Sequence, residues 1–370
     1  MIGEETQQRS WSSDNRKYDP FARGQFPVGV CSFEARDAVR NRAFPIEVWY
    51  PAQQRYAGQD LAPESQDSFL PRGSDKLKHQ AAVRDASAVP GTYPLILYSH
   101  HSGGERRRAS FLCTHLASHG YVVAALDHSE VIAPELARQP GETEAQKLKR
   151  WDAVIGSRVP DTQFLLSQIL AQKAVPTGIT VDDTRIGIAG HSFGAWTALA
   201  FPDFEPRIRA VVAHAPGGTS NPRPGILPVK LAFRWGRDVP ALYLVAENDA
   251  SLPLAGMYET FERTPSAKRM FVLRRADHLH FIDNIEETHE QARQMPWPAE
   301  LKWIQDEMRP ILELCSGEKA QLFLRGLTLA HFDAVLNGNQ QAQQFLRSDV
   351  HSEMLHRGIE AFEHHASKAA

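Results

Sequence analysis

The sequence predicts an α/β fold in which a doubly wound, mostly parallel β-sheet is covered by helices on both faces. From residue 93 onward, short apolar runs alternate with segments of helical length, which is the pattern of a buried parallel sheet. The 370 residues are enough for one large core, and 42% of them are hydrophobic. We expect strands at 93–98, 121–126, 185–189, 208–213, 241–246 and 269–273, and helices at 107–119, 146–172, 195–201 and 253–261.

The part of the chain before this pattern contains three segments of different character. Residues 1–23 form a polar leader without the apolar core of a signal peptide. The β-rich runs 26–33 and 44–50 predict an N-terminal antiparallel hairpin at an edge of the sheet. Residues 53–90 are rich in Pro, Ser, Gln and Asp, so we interpret them as an insertion in a domain that spans 24–297.

Two later segments are expected on the surface of this domain. Residues 298–370 contain no strand-like run, and their amphipathic pattern predicts a helical C-terminal extension packed on the flank of the same domain. The segment 216–238 is long for a connection in such a fold and carries several prolines. We predict that it forms a lid-like wall of a pocket, with a plain surface loop as the alternative.

The composition excludes several classes of function. Acidic and basic residues nearly balance, with a formal net charge of −3, so neither nucleic acid nor an anionic membrane is expected as a partner. No stretch approaches the length of a membrane span, so the cytoplasm is the expected location, without integral membrane association. Cys31, Cys113 and Cys315 lack CxxC spacing, and four C-terminal histidines lack a metal-ligand pattern, so neither disulfides nor a metal are expected. The sequence does not determine an oligomeric state.

The pentapeptide Gly190-His191-Ser192-Phe193-Gly194 lies between a predicted strand and a predicted helix. This context is that of a nucleophile elbow, a turn so sharp that side chains at both glycine positions would collide with backbone. The serine would be strained, with its hydroxyl above the sheet and the positive end of the next helix beside it. Ser192 is therefore the predicted nucleophile, against the alternative of a chance match in a chain with 24 glycines.

The partners of such a serine follow it in the chain, each at the carboxyl end of a later strand. The strand 241–246 ends in Glu247-Asn248-Asp249, and we predict Asp249 as the acid, with Glu247 as the alternative. After the strand 269–273, His278 is favoured as the base over His280. A carboxylate on Nδ1 would fix the tautomer in which Nε2 takes the proton of the serine.

The loop after the strand 93–98, which runs from Ser99 to Gly104, is expected to lie beside the elbow. The backbone N–H groups of Phe193 and Ser102 are the predicted donors to an oxyanion. Five further side chains are predicted to line the pocket because they lie in this loop, in the elbow, after a strand or in the lid-like segment: His100, His101, His191, His214 and Trp235.

Two groups of charged residues are interpreted as structural. The run Arg106–Arg108 opens a helix, where positive charge opposes the helix dipole. A solvated face, or pairing with acids such as Glu105, is expected here rather than a site for an anionic substrate. Arg158 and Asp161 lie one helical turn apart, which predicts a structural ion pair between them.

Several of these segments together resemble the platelet-activating-factor acetylhydrolase and dienelactone-hydrolase-like branch of the α/β hydrolases. The resemblance spans roughly residues 24–285 and lies in the hairpin, the oxyanion loop with its helix, the elbow and the histidine loop: Phe26–Val30, Val48–Pro51, Tyr98–His100, Leu116–Ala124, Gly190–Gly194 and Ala276–Phe281. It implies an α/β-hydrolase fold, serine esterase activity, and His278 as the base. Where this family usually has Ser-His-Gly, the chain has Ser99-His100-His101. Serine at 192 separates the chain from dienelactone hydrolases, which use cysteine, and from epoxide hydrolases, which use aspartate.

The predicted function is hydrolysis of a small or lipid-like carboxylic ester by Ser192, His278 and Asp249, through an acyl-enzyme and without a metal or organic cofactor. Thioester hydrolysis or acyl transfer by the same residues is the alternative among enzymes. The alternative outside enzymes is a binding protein that keeps the fold without catalysis, because His101 departs from the usual loop.

Overall fold

A ten-stranded β-sheet forms the framework of the molecule, with a separate two-stranded sheet beside it. The computed structural model describes residues 18–366 of the chain. The strands are β1 (Val28–Asp37), β2 (Arg42–Pro51), β3 (Asp67–Phe69), β4 (Lys78–Gln80), β5 (Val83–Arg84), β6 (Gly91–Ser99), β7 (Val122–Leu126), β8 (Ile179–His191), β9 (Ile208–His214), β10 (Ala241–Ala246), β11 (Lys268–Leu273) and β12 (Ala361–His364). The α-helices are α1 (Ser110–Ser118), α2 (Ser129–Ile132), α3 (Glu144–Leu170), α4 (Phe193–Ala200), α5 (Leu254–Arg263), α6 (Ile285–Gln294), α7 (Lys302–Glu307), α8 (Gly317–Leu336), α9 (Gln340–Arg347) and α10 (Val350–Leu355).

The centre of the large sheet is parallel. In space its strands run β12-β11-β10-β9-β8-β6-β7-β2-β1-β5, and every neighbouring pair from β11 to β7 is parallel. The central strands are unbroken apolar runs because both of their faces are covered, and every residue of β7 and β10 is buried. The doubly wound, mostly parallel sheet predicted from the sequence is confirmed.

The parallel centre also determines where a site is formed. Parallel strands bring their carboxyl ends to the same edge of a sheet, and the loops that follow them meet there. β6 ends at Ser99, β8 at His191, β10 at Ala246 and β11 at Leu273. The loops that carry the candidate residues therefore converge at this edge.

The predicted N-terminal hairpin is present as β1 and β2. The two strands pair antiparallel with Val28 opposite Pro51, and β2 joins the sheet through antiparallel pairing with β7. The segment 53–90 that follows is not irregular throughout, because it contains β3, β4 and β5. Arg84 of β5 pairs with the buried Glu47 of β2 at 2.9 Å, which ties the segment to the hairpin.

The C-terminal segment crosses a face of the sheet and then returns to its edge. Helix α8 packs against α1, β9 and β10, with Phe323 and Phe332 fully buried. The expectation that residues 298–370 contain no strand was wrong, because β12 pairs antiparallel with β11. Helix α10 ends at Leu355, Gly358 adopts a φ of +70°, and the chain then leaves the helical path and joins the sheet.

The last residues of the predicted polar leader are packed on the domain. The side chain of Phe21 is buried against Gly326 of α8, where an added Cβ would lie 2.3 Å from the phenylalanine ring. The packed domain therefore includes residues before 24. Residues 1–17 of the predicted leader lie outside the described residues.

The cysteines, a possible metal site and possible membrane spans can be examined in the described residues. Cys31 and Cys113 are buried, Cys315 is half-buried, and all three are free thiols. Within residues 18–366, no cluster of His, Cys, Asp or Glu has the arrangement to hold a metal ion. A search of the same residues finds no helix with the length and hydropathy of a membrane span. The cytoplasmic location stays a prediction.

Candidate active site

Ser192 lies on the turn between β8 and α4 in a strained backbone conformation. Its φ of 59° and ψ of −117° fall in a region of backbone conformation that residues with a side chain rarely adopt. A Cβ at position 190 would lie 2.3 Å from the Gly194 carbonyl oxygen, and one at position 194 would lie 1.9 Å from the Ser99 carbonyl oxygen. Both positions therefore require glycine. The Ser192 N–H donates to the carbonyl of His214 at 2.9 Å, which fixes the turn against the neighbouring strand.

Two hydrogen bonds link Ser192 to His278 and Asp249. The hydroxyl oxygen of Ser192 lies 2.9 Å from Nε2 of His278, and Nδ1 of His278 lies 2.6 Å from Oδ2 of Asp249. The other carboxylate oxygen of Asp249 accepts the Leu252 N–H at 2.7 Å, so the carboxylate is held in place. Because a carboxylate only accepts, Nδ1 carries the proton and Nε2 is the acceptor for the hydroxyl of Ser192.

The charges around His278 favour its protonated form. Burial alone would lower the pKa of His278, but the Asp249 carboxylate, its hydrogen bond and the nearby Asp277 raise the pKa above its ordinary value. The carboxylate of Asp277 accepts the backbone N–H groups of His278 and Ala250. Burial, followed by the charge of Asp249, raises the pKa of Asp277. The site therefore stabilises an imidazolium at His278.

The two alternatives weighed in the sequence, Glu247 and His280, have other partners. Glu247 accepts the Arg275 N–H at 3.0 Å. Nδ1 of His280 accepts the Asp277 N–H at 3.0 Å, and its Nε2 lies 3.1 Å from the Cys315 carbonyl oxygen. The structure thus brings the favoured acid and base to the serine rather than these two residues.

The loop from Ser99 to Gly104 packs directly on the elbow. An added Cβ at Gly194 would meet the carbonyl oxygens of Ser99 at 1.9 Å and His100 at 2.6 Å, so the close approach depends on glycine. Ser102 of this loop and Phe193 of the elbow line the same cavity as Ser192. Their roles as oxyanion donors stay predictions.

The expected ion pair between Arg158 and Asp161 is not formed. The side chain of Arg158 pairs instead with Glu130, with Nε 2.9 Å from Oε2. Asp161 accepts the Ser129 N–H at 2.7 Å and pairs with Arg40. Helical spacing predicted the wrong partner because both side chains are fully buried and are satisfied by groups outside α3, chiefly from α2.

The arginines before α1 are also paired within the fold. Arg106 pairs with Asp127 at 2.7 Å, and Arg107 pairs with Glu47 at 2.8 Å. The partners differ from Glu105, which was named as an example from the sequence. These two side chains serve structural ion pairs, as expected.

A cavity of about 320 Å³ opens at Ser192. Its apolar wall comes from two segments that are far apart in the sequence, with Gly217, Gly225, Ile226, Leu227 and Val229 from the lid-like segment and Trp297, Leu301 and Ile304 from the region around α7. Of the described residues that line it, none is Asp, Glu, Lys or Arg. The cavity therefore offers an uncharged and largely apolar surface next to the serine.

Contacts outside the cavity join these two wall segments. Arg223 of the lid-like segment forms two hydrogen bonds of 2.7 Å with Glu307 of α7. The same guanidinium lies 3.5 Å from the ring centroid of Trp303. A bidentate pair combined with a cation–π contact holds the two segments together on the outer side of the cavity.

Two of the five predicted pocket side chains, His101 and His191, line the cavity. Burial lowers the pKa of His101 to about 3 and holds the pKa of His191 well below its ordinary value. The ring of His191 lies 4.7 Å from that of His278. Both imidazoles are therefore neutral neighbours of His278.

The other three, His100, His214 and Trp235, are not part of the lining. Nδ1 of His100 donates to the carbonyl of the next residue at 2.7 Å. His214 is fully buried, with Nε2 3.3 Å from a threonine hydroxyl of α8, and the indole N–H of Trp235 donates to a carbonyl of α4 at 3.1 Å. These hydrogen bonds hold the three side chains in the core, although Nδ1 of His214 has no hydrogen-bond partner among the described residues.

Sequence reasoning missed the contribution of Trp297, Leu301 and Ile304. These residues were assigned to the flank of the domain or to its boundary. Their spacing of four and three residues is that of one helical face, which indicates an apolar surface. The spacing alone carries no information on which part of the molecule this face covers.

The chain is similar to several known proteins. The family model for platelet-activating factor acetylhydrolase, isoform II, matches residues 74–151. The chain is 23% identical to the platelet-activating factor acetylhydrolase of Cavia porcellus over 286 residues, which are 65% of this chain and 60% of that protein. It is 24% identical to cutinase est1 of Thermobifida alba over 234 residues, which cover 62% and 67% of the two chains. The chain thus spans less than two thirds of the acetylhydrolase.

Among solved structures, the ferulic acid esterase from Streptomyces cinnamoneus superimposes with a TM-score of 0.64 at 23% sequence identity. The match covers 93% of this chain and 98% of the esterase. It confirms the α/β-hydrolase fold predicted from the sequence. The sheet, the elbow and this superposition together show the α/β-hydrolase fold.

Proposed function

We propose that this chain is a serine hydrolase of carboxylic esters, in which Ser192 is the nucleophile, His278 the general base and acid, and Asp249 the residue that orients His278. The observation that carries the proposal is the pair of hydrogen bonds, 2.9 Å and 2.6 Å long, that joins the three side chains. The strained elbow adds support, because it presents the hydroxyl of Ser192 at the cavity.

The geometry supports a two-step acyl transfer. The hydroxyl oxygen of Ser192 attacks the ester carbonyl while Nε2 of His278 takes the proton, and the same nitrogen returns it to the departing alcohol. Water then attacks the acyl-enzyme with the same assistance, and the carboxylic acid and free Ser192 are released. Asp249 stabilises the imidazolium in both steps. The N–H groups of Phe193 and Ser102 would stabilise the oxyanion.

The cavity supports an uncharged ester with an apolar portion as the substrate class. Ile226, Leu301 and Ile304 contribute apolar wall, and no described lining residue is Asp, Glu, Lys or Arg. A charged group bound against this apolar wall would lose hydration without gaining a partner from Asp, Glu, Lys or Arg. The related proteins are named for different substrates, so the proposal stops at this chemical class.

Hydrolysis of p-nitrophenyl acetate and p-nitrophenyl butyrate, with covalent labelling by a fluorophosphonate, tests the proposal. We expect both esters to be cleaved and the label to attach. A folded protein that leaves both esters intact and resists the label would contradict the proposal and favour a non-catalytic binding protein. Adding acyl thioesters and acceptor alcohols to the panel separates ester hydrolysis from thioester hydrolysis and acyl transfer, which would use the same residues.

A further inference from the structure

Arg158 of α3 is a fully buried arginine whose guanidinium faces the loop from Ser99 to Gly104. Its NH1 donates to the carbonyl of His100 at 2.7 Å and lies 3.2 Å from the hydroxyl of Ser99. Its NH2 donates to the carbonyl of His101 at 3.2 Å. Glu130 binds the opposite side of the guanidinium through both carboxylate oxygens. The arginine is therefore fixed by Glu130 and holds two consecutive carbonyls of the loop.

The same guanidinium also contacts the elbow. It lies over the ring of Phe193, 4.1 Å from the ring centroid. Phe193 directly follows the nucleophile, and Ser102 directly follows the second carbonyl that Arg158 holds. One side chain thus contacts both sides of the expected oxyanion hole.

Peptide geometry connects these contacts to the oxyanion donors. The peptide bond between His101 and Ser102 is trans, so its carbonyl and its N–H point in opposite directions. When Arg158 holds the His101 carbonyl, the Ser102 N–H is directed away from Arg158. Among the described residues, the N–H groups of Ser102 and Phe193 have no hydrogen-bond acceptor, and both residues line the cavity at Ser192.

A buried ion pair is not an efficient way to increase the free energy of unfolding. Removing two charges from water costs several kcal/mol per ion, and apolar replacements of such pairs are often neutral or stabilising. The side chains of Arg158 and Glu130 are 0% and 6% exposed. Arg158 donates to the loop carbonyls of His100 and His101 and does not lie at the surface. This arrangement suits a role in orienting the loop.

We propose that Arg158, oriented by Glu130, is the positioning residue of the oxyanion hole. It fixes the carbonyls of His100 and His101 so that the N–H groups of Ser102 and Phe193 converge on the oxygen that becomes negative when Ser192 attacks. Arg158 itself contacts neither substrate nor the reacting atoms. This inference rests on the proposed ester hydrolysis.

The test compares Arg158→Met, Arg158→Lys and Glu130→Gln with the unchanged protein. Each is measured for kcat and KM with p-nitrophenyl butyrate and for the Ki of an alkyl trifluoromethyl ketone, whose serine adduct carries an oxyanion. Loss of one oxyanion donor lowers kcat by about 100-fold or more, and we expect a fall of this size in Arg158→Met with KM changed less than about threefold. The Ki should rise by the same factor as kcat/KM falls, because inhibitor and transition state use the same donors. The kcat of Arg158→Lys should be about tenfold higher than that of Arg158→Met, because an ammonium can bind one carbonyl but not two.

Arg150→Met is the matched control. Arg150 lies on the same helix and pairs with Glu142, with Nε 2.9 Å from Oε2. Its side chain forms neither a hydrogen bond nor an ion pair with the described loop from Ser99 to Gly104. Its replacement should leave kcat and Ki unchanged. If Arg158→Met does not fold, Glu130→Gln serves instead, because it keeps the arginine and removes the charge that orients it. It should lower kcat by about tenfold with a proportional rise in Ki.

The outcomes separate this inference from the proposed function. An active parent protein with folded Arg158→Met and Glu130→Gln variants that keep kcat and Ki, or that change only KM, would overturn the inference and leave the proposed function standing. A parent protein that cleaves no ester and takes no fluorophosphonate label would overturn both.

Discussion

The elbow around Ser192 and the loop opposite it are constructed in different ways. The elbow depends on neighbours in the sequence, since β8, two glycines and α4 create the strained turn within a few residues. The loop from Ser99 to Gly104 depends on distant residues, chiefly Arg158 and its partner Glu130. The difference shows why the elbow that carries the proposed nucleophile is recognisable from sequence while the geometry of the proposed oxyanion hole is not.

The largest effect is expected at the elbow itself. Replacing Ser192 by alanine removes the proposed nucleophile and should lower kcat for p-nitrophenyl butyrate by about 10⁴-fold to 10⁶-fold. Ser167→Ala, at an exposed serine of α3, is the control and should retain the activity of the parent. Retention of more than a tenth of the activity in the Ser192 variant would assign the nucleophile elsewhere.

The next effect tests which carboxylate serves His278. Asn at position 249 would bond Nδ1 in the wrong sense and favour the unproductive tautomer, so Asp249→Asn should lower kcat by about 10³-fold to 10⁴-fold. Glu247→Gln, two residues away, should change kcat by less than about threefold because Glu247 binds Arg275. Steady-state kinetics of both variants decide the assignment, and the reverse order of effects would make Glu247 the acid.

A smaller effect is expected where the distant segment reaches the cavity. Ile304 is buried in the apolar wall, and Ile304→Trp should lower kcat/KM for p-nitrophenyl octanoate relative to the acetate by about tenfold to 100-fold. Leu312→Trp is the control, since Leu312 is 96% exposed. If a folded Ile304→Trp protein keeps the parent's ratio of kcat/KM for the octanoate to that for the acetate, α7 does not determine acyl-chain specificity.

The smallest effect is on pH dependence. Asp249 and Asp277 raise the pKa of His278, and only the neutral imidazole accepts a proton from Ser192. Activity should therefore fall as the pH drops through a midpoint above the ordinary histidine value of about 6.5. Asp277→Asn should move this midpoint to lower pH, because it removes a negative charge. The pH profile of kcat/KM measures both, and a midpoint that stays fixed or rises in the variant would contradict the assigned charge effect.

The parts of the molecule that the sequence predicted are those with a local cause. The central strands follow from unbroken apolar runs, and the elbow follows from glycine spacing between a strand and a helix. Asp249 and His278 were predicted as acid and base because parallel strands bring their carboxyl ends together. Both histidines lie in the same short loop, and the family resemblance supported the choice of His278 over His280.

The parts that the sequence did not predict depend on tertiary contacts. Helical spacing suggested Asp161 as the partner of Arg158, but both side chains are buried and each has a partner in α2. Likewise, β12 lies in a stretch with helical pattern, and its pairing with β11 decided its conformation. The apolar face that includes Leu301 was visible as a pattern, while the cavity that it covers was not.

The most direct test of the central claim is the site of fluorophosphonate attachment, measured by intact mass and peptide mapping together with residual ester hydrolysis. The account predicts one label per chain, on Ser192, with activity lost in proportion to labelling and no label on Ser192→Ala. A label on another residue, or full ester hydrolysis by the labelled protein, would contradict it.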